Sequence, residues 1–159
     1  MKSAKLALGT LALLCSAVPS AADETMDRLE IMNTVQALFD AMAATDGPGA
    51  ARVLLPEGRF VIVDRGDSGI ETAVLDHVAF VERVAESEVP LIERTWDPEV
   101  RVDGDIASYR ARYDFHSGTS YSHCGVDLFH LVRADAGWRI TGGTFTREQN
   151  CPDNPLPEL

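Results

Sequence analysis

Between residues 106 and 116 the side chains alternate in character without a break. Ala107, Tyr109, Ala111, Tyr113 and Phe115 fall on one side, while Ser108, Arg110, Arg112, Asp114 and His116 fall on the other. A period of two marks a strand with one buried face. A slip of one residue would exchange the faces, so the pattern also fixes pairing register. Everything beyond Pro90 reads the same way. Segments at 91–103, 106–116, 121–133 and 137–147 are separated by Asp103-Gly104-Asp105, Ser117-Gly118-Thr119 and Ala134-Asp135-Ala136-Gly137. Turns this short join antiparallel neighbours.

The preceding part carries a helical period instead. From Thr25 to about Ala44, Leu29, Met32, Val35, Leu38, Phe39 and Met42 recur three and four apart, one face of an amphipathic helix. Asp46-Gly47-Pro48-Gly49 ends it, and Ala50 to Leu55 can form a short second helix before Pro56. Arg59 to Val63 is a short strand, turned by Asp64-Arg65-Gly66-Asp67. Val74, Leu75, Val78, Val81 and Val84 then mark a third helix ending before Pro90. Helices first and a meander afterwards give an α+β fold, with the helices packed on one face of a mostly antiparallel sheet.

Residues 1–22 read as an export signal. Lys2 and Lys5 precede an apolar run from Leu6 to Cys15, and Ser20-Ala21-Ala22 offers a small-residue cleavage site. The run is too short to anchor the chain in a bilayer. Cleavage after Ala22 would leave 137 of the 159 residues, enough for one domain. That product is periplasmic or secreted. It has twelve arginines, no lysine and 25 acidic residues, a net charge of −13. Nucleic acid and anionic membranes are poor partners for such a surface. Lysine Schiff-base and P-loop chemistry are ruled out for it.

Cys124 and Cys151 are the cysteines that remain. An even count in an exported chain favours a disulfide over a metal pair or a reactive thiol. The bridge would pin the tail, residues 149–159, and stabilise the fold by roughly 3–4 kcal/mol.

The run Gly125-Val126-Asp127-Leu128-Phe129-His130-Leu131-Val132-Arg133, followed by Gly137-Trp138-Arg139-Ile140, closes this order of elements. In that order and that ending the chain resembles the nuclear transport factor 2-like superfamily, over nearly all of Thr25 to Glu148. The superfamily includes ketosteroid isomerase, scytalone dehydratase and SnoaL-like polyketide cyclases. The resemblance implies a cone-shaped α+β roll over residues 23–148, with helices on the concave face of a strongly curved sheet. It places Asp127 where ketosteroid isomerase has its hydrogen-bond-donating aspartic acid, kept protonated by an apolar site. Asp64 lies within about a residue of the proton-abstracting aspartate. Leu38 stands where the isomerase has a tyrosine, a loss worth on the order of 10²–10³ in rate, so steroid isomerisation is not expected. Family members often dimerise through the sheet, which makes Arg110, Arg112 and Asp114 either a solvated row or a homodimer interface.

If Asp127 faces a cavity, alternation puts Tyr121, His123, Gly125, Phe129 and Leu131 on the same side, and Cys124, Val126, Leu128 and His130 outside. His123 and Asp127 would then stand roughly 13 Å apart along the strand, acting on opposite parts of a ligand. Structural alternatives are a cross-strand partner for Asp127 and a solvated His123. The expectation for His116 and His123 is that they oppose each other across their hairpin, where with Asp114 they could bind a divalent metal. No further ligand is specified by spacing, so no metal is expected. His77 reads as a surface or helix-packing histidine, and Trp138 as a seal at the sheet's end.

The expectation is therefore an exported domain holding a small apolar or aromatic molecule between the first helix and the sheet. Ligand contacts would come from Tyr113, Tyr121, Phe129, Phe39 and Leu38. Its enzymatic version is a cofactor-independent lyase or isomerase using Asp127, His123 and Asp64. The competing expectation is a non-catalytic dimeric assembly module whose cavity is filled by its own side chains. An empty pocket of about 300 Å³ or more would favour the first.

Overall fold

The computed structural model describes residues 21–66 and 69–159. The expected export segment lies outside these, apart from its last two residues, which begin the first helix. The elements run α1 (Ala21–Ala43), α2 (Gly47–Val53), β1 (Leu54–Gly66), β2 (Gly69–Asp76), α3 (His77–Ala85), β3 (Leu91–Asp103), β4 (Ile106–Ser117), β5 (Ser120–Ala134) and β6 (Gly137–Arg147). The strands form one curved sheet in the order β2-β1-β6-β5-β4-β3. Only β1 and β6 run parallel; every other pair is antiparallel. No described helix is long and apolar enough to cross a membrane.

The last four strands fall within a residue or so of their expected limits, because alternation and short turns specify them locally. In α1 the buried stripe is Ile31, Val35, Leu38, Phe39 and Met42. Leu29 and Met32, expected in that stripe, are 51% and 42% exposed. Ile31 lies on the same helical row as Val35, Leu38 and Met42 and takes the core position instead.

Between α1 and β3 four elements differ from expectation. The second helix begins at Gly47, because Asp46 caps it by accepting from the Gly49 amide at 2.9 Å. β1 runs the full length from Leu54 to Gly66, where a short strand at 59–63 was expected. β2 was missed outright: it is an edge strand with Leu75 its single buried residue, while Ile70 and Val74 are more than 60% exposed. Such a strand gives no inward–outward alternation, and Val74 and Leu75 imitate the start of a helix. The third helix starts later, at His77, with Asp76 accepting from the Ala79 amide at 2.8 Å.

The core lies between the helices and the concave face, around Phe60. Its ring centroid is 4.5 Å from that of His77, 5.1 Å from Phe80 and 5.8 Å from Phe129. His77 is buried, and its Nδ1 lies 2.6 Å from the Leu55 carbonyl, so it packs and ties α3 to β1. Trp138 is buried beneath the Arg133 guanidinium. β3 bends where Asp97 adopts a φ of 51° and its register with β4 shifts between Trp96 and Glu99, as a bulge requires.

The convex face carries the tail. Cys124 and Cys151 are joined by a disulfide across 27 residues. Beyond it, Asn154 donates to Asp114 at 2.7 Å, and Arg94 donates to the Pro157 carbonyl at 2.7 Å. Asp114 is 1% exposed and held in two-point contact by Arg94. Burial alone would raise its pKa, but the hydrogen bonds from Arg94 and Asn154 prevail and hold it low. Arg112 reaches Asp153 at 3.7 Å and Arg110 reaches Glu99 at 3.2 Å. The row read as a solvated face or subunit interface is thus engaged within its own chain.

Candidate functional site

A cavity of about 210 Å³ opens between α1, α3 and the concave sheet. α1 supplies Leu38, Phe39 and Met42, and α3 supplies Phe80, Arg83 and Val84. From the sheet come Phe60, Ile62, Leu75, Leu91, Phe115, Phe129 and Phe145 as apolar wall. Glu93, Tyr113, His123, Asp127 and Arg147 complete it. Alternation explains the sheet contribution: Phe145, Asp127 and Ala111 are successive cross-strand partners, as are His123 and Phe115. The volume falls below the roughly 300 Å³ of ordinary ligand pockets. It exceeds the 150 Å³ of an engineered apolar cavity that takes up benzene.

The polar centre of this cavity is a pair of carboxyls. Asp127 is 2% exposed, and its Oδ2 has no hydrogen-bonding nitrogen or hydroxyl partner. The group in reach is the Glu93 carboxyl, which hydrogen-bonds it. Two carboxyls can share a hydrogen bond only if one carries a proton. Burial raises the Asp127 pKa to about 7, with the bond to Glu93 pulling it back. Burial, and then the Asp127 charge, push Glu93 well above the usual range. The two titrate as a pair, and at neutral pH that pair retains a proton.

Curvature makes the pair. Glu93 lies opposite Phe115, and Asp127 opposite Ala111. On a flat sheet, two strands and four positions apart is roughly 16 Å. The sheet's curl closes that gap, with Tyr113 midway between. Tyr113 is buried, its phenol pushed far upward first by burial and then by the two acids. It stays protonated and donates to the Thr146 carbonyl at 2.7 Å. Gly125 permits this contact, since a Cβ there would lie 2.1 Å from that same carbonyl oxygen.

His123 is held neutral. Burial, then the Arg147 charge, lower its pKa to about 4, with Asp64 opposing. Its ring packs edge-on against Tyr113 and tilted over Phe115, at centroid distances of 5.7 and 5.0 Å. Near the open side, Arg147 grips Asp64 through Nε–Oδ1 at 2.6 Å and Nη2–Oδ2 at 2.5 Å. Asp64 is consequently held below its ordinary value, the Arg147 hydrogen bond being the main cause.

Of the residues singled out from sequence, Leu38, Phe39, Tyr113, Phe129, His123 and Asp127 line the cavity. Asp64 does not; its carboxylate is taken up by the Arg147 guanidinium, beside the cavity rather than in its wall. Tyr121 also stands elsewhere. The β4–β5 register shifts between Phe115 and His116, so Tyr121 pairs with His116 on the convex side. Its hydroxyl meets the Gln149 carbonyl at 3.3 Å. The same shift separates His116 from His123, which lie on opposite faces. Among the described residues no cluster of His, Cys, Asp or Glu could hold a metal ion. Glu93, Arg83 and Arg147 were not anticipated. The signal for Glu93 was the alternation Leu91, Glu93, Thr95 in β3, which places an acid on an otherwise inward-facing row.

A family model described as "Putative lumazine-binding" matches residues 26–146. No curated protein matches the chain. Among solved structures, a protein of unknown function from Mycobacterium tuberculosis superposes with a TM-score of 0.63 at 20% identity, covering 84% of this chain and 83% of its own. A nuclear transport factor 2-like protein with a cystatin-like fold from Novosphingobium aromaticivorans gives 0.62 at 14%, covering 86% and 95%. A nuclear transport factor 2 superfamily protein from Salmonella enterica gives 0.63 at 13%, covering 84% and 99%. These likenesses show the fold.

Proposed function

The chain belongs to the family described as "Putative lumazine-binding", of the nuclear transport factor 2-like fold, and we propose that it binds a small, largely apolar ring compound in the cavity beneath α1. The observation that carries this reading is the buried carboxyl pair of Asp127 and Glu93 in the wall of an otherwise apolar cavity, where no N–H or hydroxyl of the protein donates to Asp127 Oδ2. A buried acceptor left without a donor costs about 1–3 kcal/mol, a cost that a ligand hydroxyl or ring N–H would relieve. The apolar wall selects the ligand's body and the carboxyl pair a polar atom on it. The volume limits that body to one ring or two small ones.

The shared proton supports a second reading on the same ligand, acid–base catalysis by an isomerase or lyase. A protonated carboxyl in an apolar site can donate to an oxygen as negative charge develops there. The base is the weaker part of that reading: His123 is a poor proton acceptor when its pKa is about 4, and Asp64 is occupied by Arg147. The cavity's modest size lends support to the alternative, an assembly module with a filled interior. Export remains part of the proposal, supported by the pattern of residues 1–22 and the disulfide.

The test is a calorimetric screen of phenols, small ketones and fused heterocycles against wild type and Asp127→Leu. Binding by wild type that weakens about tenfold or more in the variant supports the pocket. Absence of binding by every compound favours the filled module. Turnover lost in Asp127→Asn while affinity is kept would promote the catalytic reading.

A further inference from the structure

Resting on that pocket reading, we infer that the ligand is a monoanion: an aromatic or alicyclic ring acid whose carboxylate meets Arg83 at the mouth while its far polar atom meets Glu93 and Asp127. The two ends of the cavity differ in charge and in exposure. Asp127 is fully enclosed, whereas Arg83 is exposed on α3 and Arg147 is 40% exposed in its side chain. Arg147 has its charge answered by Asp64. Arg83 lines the same cavity and, among the described residues, has no acidic partner.

That guanidinium at the cavity stands against the charge of the chain as a whole. The whole chain carries a net charge of −11, so its general field repels anions and gathers cations. A binding site for an anion in such a chain needs a local positive group at its opening, and Arg83 supplies one. A cationic ligand would instead meet the Arg83 guanidinium before reaching the carboxyls. Guanidinium also suits a carboxylate geometrically, because its planar donors can pair with both oxygens. One six-membered ring bearing para substituents is a body the cavity's volume admits.

The floor sets a pH dependence. The charged and titratable groups around Asp127 and its cavity are Glu93 from β3, Tyr109 and Tyr113 from β4, His123 from β5, Arg147 with its Asp64 partner from β6 and β1, and Arg83 from α3. α1 contributes only Leu38, Phe39 and Met42. When Asp127 is protonated the floor is neutral and donates; when it ionises the floor repels an anion. Binding of an acid that stays ionised therefore tightens as pH falls from 8 to 6.

The experiment compares para-hydroxybenzoate, neutral para-cresol and cationic para-hydroxybenzylamine by calorimetry on the full chain. It uses wild type, Arg83→Gln and Arg83→Lys at pH 6 and pH 8. The expected result is para-hydroxybenzoate binding about tenfold tighter than para-cresol at pH 6. That preference should vanish in Arg83→Gln and largely return in Arg83→Lys. Equal binding of acid and cresol, or an acid preference untouched by Arg83→Gln, overturns the inference while leaving the pocket standing. So does tightest binding of the amine. Failure of all three ring probes to bind overturns both this inference and the pocket reading beneath it.

Discussion

At the scale of single residues, the account turns on carboxyls that keep protons and an imidazole that refuses one. Asp127 has a folded pKa of about 7 against 3.8 for the free group. Between those values the unfolded chain has lost a proton that the native state still binds. The Asp127 contribution to stability therefore falls as pH rises through that window and is constant above it, while Glu93, held well above its ordinary range, continues to lower stability as pH rises further. Asn cannot ionise, so Asp127→Asn should gain on wild type as pH rises, by roughly 2 kcal/mol or more between pH 4 and pH 8. Urea unfolding at those two pH values measures the difference; a pH-independent offset would contradict it. His123 runs the other way. Its folded value of about 4 lies below the ordinary 6.5, so acidification through that interval favours the unfolded chain. His123→Phe should flatten the acid limb of the stability profile between pH 6.5 and pH 4, which the same urea series would show.

At the scale of elements, β3 to β6 were legible because each announces itself by alternation and a short polar turn. Asp127 could be placed on the inner face for that reason alone. Glu93 could not be joined to it, since contact between them depends on the curl of the sheet, and curl is set by bulges and close strand crossings rather than by period. One such crossing is at Gly125, where the Thr146 carbonyl fills the space of a side chain. Gly125→Ala should force that oxygen away and break the Tyr113 contact, at a cost of about 1–3 kcal/mol, read as a lowered urea midpoint. An unchanged midpoint would mean that β5 and β6 part without strain. Tyr121 was misplaced by the same limitation, because a register shift at Phe115 and His116 is invisible in a pattern that assumes even pairing. β2 was illegible for a simpler reason: nothing on an exposed edge strand but Leu75 needs to point inward.

At the scale of the whole molecule, the two faces of the sheet do separate jobs. The concave face is hollow, and the convex face is strapped by the tail over Asp114 and Arg94. The strap hangs on the disulfide, whose 27-residue span should contribute about 3–4 kcal/mol through the unfolded chain. Cys151→Ser should lower the thermal midpoint, and wild type in reductant should match it. A midpoint indifferent to reduction would mean the tail adds nothing. The hollow is the functional claim, and it depends on the carboxyl pair holding a proton where solvent does not reach. Carbon-13 NMR of carboxyl-labelled protein, titrated from pH 3 to pH 9, observes that proton directly. The account predicts that Asp127 titrates near 7 and Glu93 well above its ordinary range, with each resonance sensing the other. Two independent transitions near 4 would place both carboxylates in water and contradict it.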